Sequence, residues 1–157
     1  MSTHSHSSTG AAPSVNAVAL SATVHCLTGC AIGEVLGMII GTALGWGDPE
    51  TVVLAVVLAF FFGYSLTMVT LLRSGIALST AIPLALAADT ISITIMEVVD
   101  NLIMLLIPGA MRAGLGNARF WGSLALALLI AGACAFPVNR WLIARGGGHA
   151  VVHPHVP

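Results

Sequence analysis

Of 157 residues, 57% are hydrophobic and 7% are charged. With a mean hydropathy of +1.00, this excludes an ordinary soluble domain, which carries about 25% charged residues, and places the chain among membrane proteins. Lysine is absent, the net charge is -1 and the five basic residues are Arg73, Arg112, Arg119, Arg140 and Arg145, so no basic patch exists for nucleic acid or another polyanion.

The length has room for about four spans of roughly 20 residues each. Residues 1–16 read as a polar, Ser/Thr-rich tail carrying His4 and His6. The tail lacks a basic n-region and the apolar run after it is too long for an h-region, so a retained span is expected rather than a cleaved signal. Span one covers residues 17–44. Its glycines Gly29, Gly33, Gly37, Gly41 and Gly45 recur every four residues, a small-xxx-small ridge that lets another helix approach closely.

The same span holds His25-Cys26-Leu27-Thr28-Gly29-Cys30-Ala31-Ile32-Gly33-Glu34. On a helix, Cys26, Cys30 and Glu34 stack along one face at i, i+4 and i+8. Ionisable groups in hydrocarbon are costly and mark function by default.

Trp46-Gly47-Asp48-Pro49-Glu50 reads as a tight turn with an interfacial aromatic. Span two follows over residues 51–72, contains Tyr64 and Thr67, and stops at Arg73-Ser74-Gly75. Span three is placed at residues 80–107, with Pro83 in its first turn and Pro108-Gly109 at its end. It carries Asp89, Glu97, Asp100 and Asn101. At 100° per residue, Asp89, Ile93, Met96, Glu97, Asp100 and Met104 fall within an arc of about 100°, which must face the bundle interior or a wet cavity. Arg119-Phe120-Trp121 opens span four, residues 119–144, with Pro137 expected to kink its last third. A flexible tail over residues 146–157 holds His149, His153 and His155. The predicted fold is all-α, an integral membrane bundle of four transmembrane helices.

Four spans put both termini on one face, with Arg73, Arg140 and Arg145 there and Arg112 and Arg119 opposite. The positive-inside rule therefore favours cytoplasmic termini in a bacterial inner membrane. Counted from the terminal face, Glu34 and Glu97 lie roughly 25 Å deep and Cys26, Cys30 and Asp89 roughly 13–20 Å deep, so the stripes of spans one and three match in level.

Charge balance is the strongest constraint. Of six acidic residues, Glu34, Asp89, Glu97 and Asp100 sit inside spans, while every Arg lies at a span end. These carboxylates must be protonated, solvated or bound to a cation. Thiol with imidazole favours a transition metal, copper or zinc first and iron next. In that reading His25, Cys26 and Cys30 are soft ligands, and Glu34, Asp89, Glu97 and Asp100 neutralise the ion or form its path. Tyr64 and Asn101 are accessory polar groups.

The leading expectation is thus a metal-binding protein acting in transport or delivery, with the bilayer, a second copy or a metal-handling protein as partner. Two alternatives stand beside it. One is a proton-conducting or proton-coupled subunit using the carboxylates, and the other is an assembly partner whose glycine ridge packs on another subunit. Cys134 reads as a small buried hydrophobe, the tail histidines as solvated residues, and Met68, Met96 and Met104 as packing. A disulfide between Cys26 and Cys30 would be strained. No Ser/His/Asp arrangement, phosphate-cradling loop or dinucleotide fingerprint points to an enzyme.

The His-Cys-x-x-Gly-Cys-x-x-Gly-Glu run, Ala88-Asp89-Thr90 with Glu97-x-x-Asp100-Asn101, and Pro137-Val138-Asn139-Arg140-Trp141-Leu142-Ile143-Ala144-Arg145-Gly146 together resemble an uncharacterised bacterial family. It is the four-helix membrane domain of unknown function that carries this His-Cys signature. The resemblance covers residues 24–153. It implies a four-helix integral membrane fold and, through an association with copper-handling proteins, a connection to copper.

Overall fold

The computed structural model describes residues 14–145. Four helices make up this part: α1 (Val15–Leu44), α2 (Asp48–Arg73), α3 (Leu78–Leu106) and α4 (Ala118–Ala144). All four are long and apolar enough to cross a membrane, so the all-α four-span fold holds. The two tails with His4, His6, His149, His153 and His155 lie outside the described residues.

Local chemistry accounts for the helix ends. Ser14 caps α1 by accepting from the Ala17 N–H at 3.3 Å, so the helix starts two residues before the expected boundary. Gly45 does not continue the ridge. It sits at φ 67°, in the left-handed conformation, and its N–H closes the last turn. Asp48-Pro49-Glu50, expected as a turn, forms the first turn of α2. Proline there lacks only an N–H that has no helical partner, and the two carboxylates complement the helix dipole. Helix α3 starts at Leu78, which moves Pro83 from the first turn into the helix proper. Asn117 caps α4 by accepting from the Arg119 N–H at 2.9 Å.

Sequential helices pack side by side, α4 returns against α1, and α1 touches α3 across the centre. The tightest seam joins α1 to α2. A Cβ built on Gly29 would stand 2.7 Å from the Gly63 Cα, and one on Gly37 2.6 Å from the Ala55 Cα. At Gly33 and Gly41 it would collide with the Ala59 backbone and the Thr51 side chain. Helix α2 therefore answers the glycine ridge with its own four-residue register, Thr51, Ala55, Ala59 and Gly63. The ridge residues Gly29, Gly33, Gly37 and Gly41 thus pack against α2 within the chain. In a bilayer, where lipid is as apolar as leucine, such close backbone approach is a main source of helix association.

The outer surface is apolar, with Val53, Val57 and Phe61 on α2 and Leu126 and Leu129 on α4 exposed. Its scattered hydroxyls are satisfied locally: Thr28 donates to the Val24 carbonyl and Ser65 to the Phe61 carbonyl. Trp46, Trp121 and Trp141 are exposed near helix ends, as expected at a membrane interface. Cys134 is exposed on α4, not buried as expected. It lies on the outward face with Ala133 and Ile130, while Ala131 and Ala135 face inward.

Candidate functional site: a polar seam between α1 and α3

The glycine ridge sets the direction of every polar residue on α1. Cys26, Cys30 and Glu34 each follow a residue of the ridge register and so point about 100° away from α2. That direction is the bundle centre, where α3 presents Asp89, Ser92, Glu97 and Asp100, all buried. The polar side chains are almost wholly enclosed: Asp89 is 0% exposed, Asp100 1%, Glu97 4% and Glu34 7%.

Three levels form along the seam. At the first, the Cys26 thiol donates to Asp89 Oδ1 at 3.6 Å, with Ser92 beside Cys26 and the Thr67 hydroxyl of α2 beside Asp89. At the second, Cys30 lies beside the Glu97 carboxyl. At the third, Glu34 meets Asp100, and the Asn101 amide reaches Glu34 Oε1 at 3.4 Å and Glu97 Oε2 at 3.5 Å while bonding the Glu97 carbonyl at 2.9 Å. The expected matching of the two stripes is therefore present, one turn offset: Glu34 faces Asp100 rather than Glu97. From Cys26 to Glu34 the seam extends about 12 Å of a hydrocarbon core about 30 Å thick.

His25 stands apart from this seam. It occupies the ridge register, four residues before Gly29, and reaches the α2 backbone at Leu66. Tyr64 is likewise turned to the α2–α3 groove, its hydroxyl 2.9 Å from Thr90 Oγ1. Among the described residues, no three His, Cys, Asp or Glu side chains converge to hold a metal ion. The thiols and carboxyls are distributed in pairs.

The third level has an unusual hydrogen-bond account. Both Asp100 oxygens are buried and accept no hydrogen bond from an N–H or O–H of the described residues, and neither does Glu97 Oε1. What faces Asp100 is another carboxyl. Two carboxyls can bond each other only when one of them holds a proton. An ionised carboxylate at the centre of a span costs about 3 kcal/mol on the insertion scale, so a shared proton both removes a charge and satisfies an acceptor.

Sequence reasoning overlooked several buried polar residues. Ser92 lies about 40° beyond the edge of the Asp89–Glu97 arc, so that arc did not include it. Asn139 is 4% exposed, and its amide donates to Thr23 Oγ1 at 2.9 Å, tying α4 to α1. Its signal was an amide inside an apolar span.

The family described as "Domain of unknown function (DUF4396)" matches residues 16–148, and the chain belongs to it. No curated protein matches, and no solved structure does.

Proposed function

We propose that this family member binds and relays protons within the bilayer, as a proton-conducting or proton-coupled membrane subunit. Glu34 and Asp100 share the bound proton, Asn101 holds Glu34 and Glu97 in place, and the pairs Cys30 with Glu97 and Cys26 with Asp89 extend the polar path. The observation that carries this reading is the facing pair of buried carboxyls with no donor to Asp100 among the described residues. Supporting it, no arginine lies in the central turns of a helix, so none of the five stands at the level of the seam to neutralise it.

Labelling with dicyclohexylcarbodiimide tests it. This apolar reagent partitions into lipid and adds to protonated carboxyls. Peptide mass spectrometry should find the adduct on Glu34 or Asp100, and Glu34→Gln with Asp100→Asn should abolish it. No adduct on either residue in the folded wild-type protein overturns the proposal.

A second reading has its own observation: each buried thiol lies against a carboxyl, a sulfur–oxygen pairing suited to copper, zinc or iron. In it the chain passes a transition metal along Cys26, Asp89, Cys30 and Glu97 towards Glu34 and Asp100, for transport or for delivery to a metal-handling protein. His25 contributes only if it swings from α2. Either reading sets the chain in a bacterial inner membrane with cytoplasmic termini, on the three-to-two distribution of arginines.

A further inference from the structure

The two ends of the seam differ. Towards the termini the polar side chains continue: the Thr67 and Ser92 hydroxyls flank the Cys26–Asp89 pair without a hydrogen bond of ordinary geometry to any described residue, and Thr23 with Asn139 lies beyond. Buried hydroxyls in that condition are the positions that internal water takes. The alanines of the same end sit in two separate small clusters, Ala19 and Ala22 with Ile143, and Ala81 and Ala85 with Leu71, rather than in one that spans the bundle.

Towards the opposite end the seam stops. Met38 and Met104 stand one turn beyond Glu34 and Asp100 on their own helices, both buried. They pack with Phe120, Leu124, Ala110 and Ala113 in one apolar cluster. The two alanines belong to the connection over residues 107–117, yet Ala110 is 0% exposed and Ala113 7%. A connection normally runs over the surface; this one folds its apolar side onto the bundle mouth. The Trp121 indole N–H, donating to the Leu115 carbonyl at 2.7 Å, holds it there.

We propose that the Glu34–Asp100 site exchanges protons only with the face that bears the termini, through water held by Thr23, Asn139, Thr67 and Ser92. Residues 107–117 with Phe120, Met38 and Met104 form a lid that keeps the opposite side dry. The inference rests on Glu34 and Asp100 being a proton site. The ionisable groups facing that pair are Cys30 on α1 and Glu97 on α3. The lid therefore has to exclude water by packing alone.

Radiolytic hydroxyl-radical footprinting of the full chain in lipid nanodiscs reads this directly, because the radical forms from water beside the side chain. Cys26 marks the wet end, and Met38 and Met104 mark the lid. Cys26 should oxidise about tenfold faster than either methionine. Phe120→Ala should bring the methionine rates up towards that of Cys26 and leave Cys26 unchanged. Equal rates at Cys26 and the methionines in the wild type overturn the proposal, and so do methionines that oxidise faster than Cys26. The wild-type comparison stands even where Phe120→Ala fails to fold. Footprinting reports water and carbodiimide labelling reports the proton, so the two readings fail separately.

Discussion

Gly33 lies against the Ala59 backbone so closely that no side chain fits between them, and Glu34, the next residue, is thereby turned to α3. Packing and chemistry on α1 are the same periodic pattern, rotated by one residue. Adding one methyl at Gly33 should force α1 off α2 and lower stability by about 1–3 kcal/mol. Gly122→Ala is the control, since nothing stands within 4 Å of its Cβ position; there the helix should gain up to about 1 kcal/mol. Thermal unfolding in detergent separates them: Tm falls for Gly33→Ala and holds or rises for Gly122→Ala.

Replacing a carboxyl of the third level by its amide supplies an N–H donor between the two facing side chains, where Asp100 accepts none from the described residues. Asp100→Asn should hydrogen-bond Glu34 and keep stability within about 1 kcal/mol of wild type. The bound proton is lost with it. Protein reconstituted in vesicles with an internal pH dye should take up or pass fewer protons than wild type. An unchanged signal in both Asp100→Asn and Glu34→Gln would count against the proton reading.

The metal reading makes a different demand on the thiols. Cys26→Ser with Cys30→Ser should remove copper or zinc found at near one equivalent by plasma mass spectrometry in protein grown with added metals. Metal occupancy should also fall on acidification, because the ligands bind deprotonated. Equal trace metal in both proteins sinks this reading. The double variant should keep carbodiimide labelling of Glu34 or Asp100 if the seam carries protons.

Asn139→Leu removes a buried hydrogen bond between α4 and α1. Measured bonds of this kind in membranes average about 0.6 kcal/mol and reach about 1.7 kcal/mol. Stability should fall within that range, while Arg140→Ala, which severs only an exposed bond to Asn16, should change it by less than about 0.5 kcal/mol. Unfolding in mixed micelles distinguishes the two.

Trp121→Phe keeps the ring and deletes the N–H that holds Leu115. Hydrogen exchange over residues 107–117 should quicken, with exchange in the centres of α1 and α3 unchanged. Uniform quickening throughout would show that the indole supports the whole bundle instead.

The fold was legible because hydropathy, glycine spacing and the Pro108-Gly109 stop agreed, and the acidic face of α3 followed from its period of 3.6 residues. His25 shows what went unread. It adjoins Cys26 in sequence, yet shares the four-residue register of the glycines and therefore faces α2. The answering register on α2, from Thr51 to Gly63, was present but hidden among larger apolar residues. The offset that pairs Glu34 with Asp100 depends on how far α3 slides along α1, which no local pattern encodes. The lid escaped notice because its alanines resemble those of any connection until the bundle mouth is seen.

The three-residue link over residues 45–47 has a consequence for how the chain is made. Helices α1 and α2 are joined so closely that their pairing closes with little loss of entropy, and the pair can zip up before α3 leaves the insertion machinery. Until α3 docks, Glu34 and both buried thiols of α1 border lipid. A chain truncated after residue 75 should therefore be a poor substrate for stable insertion and a good one for quality-control proteolysis, although its tightest helix contact is already complete.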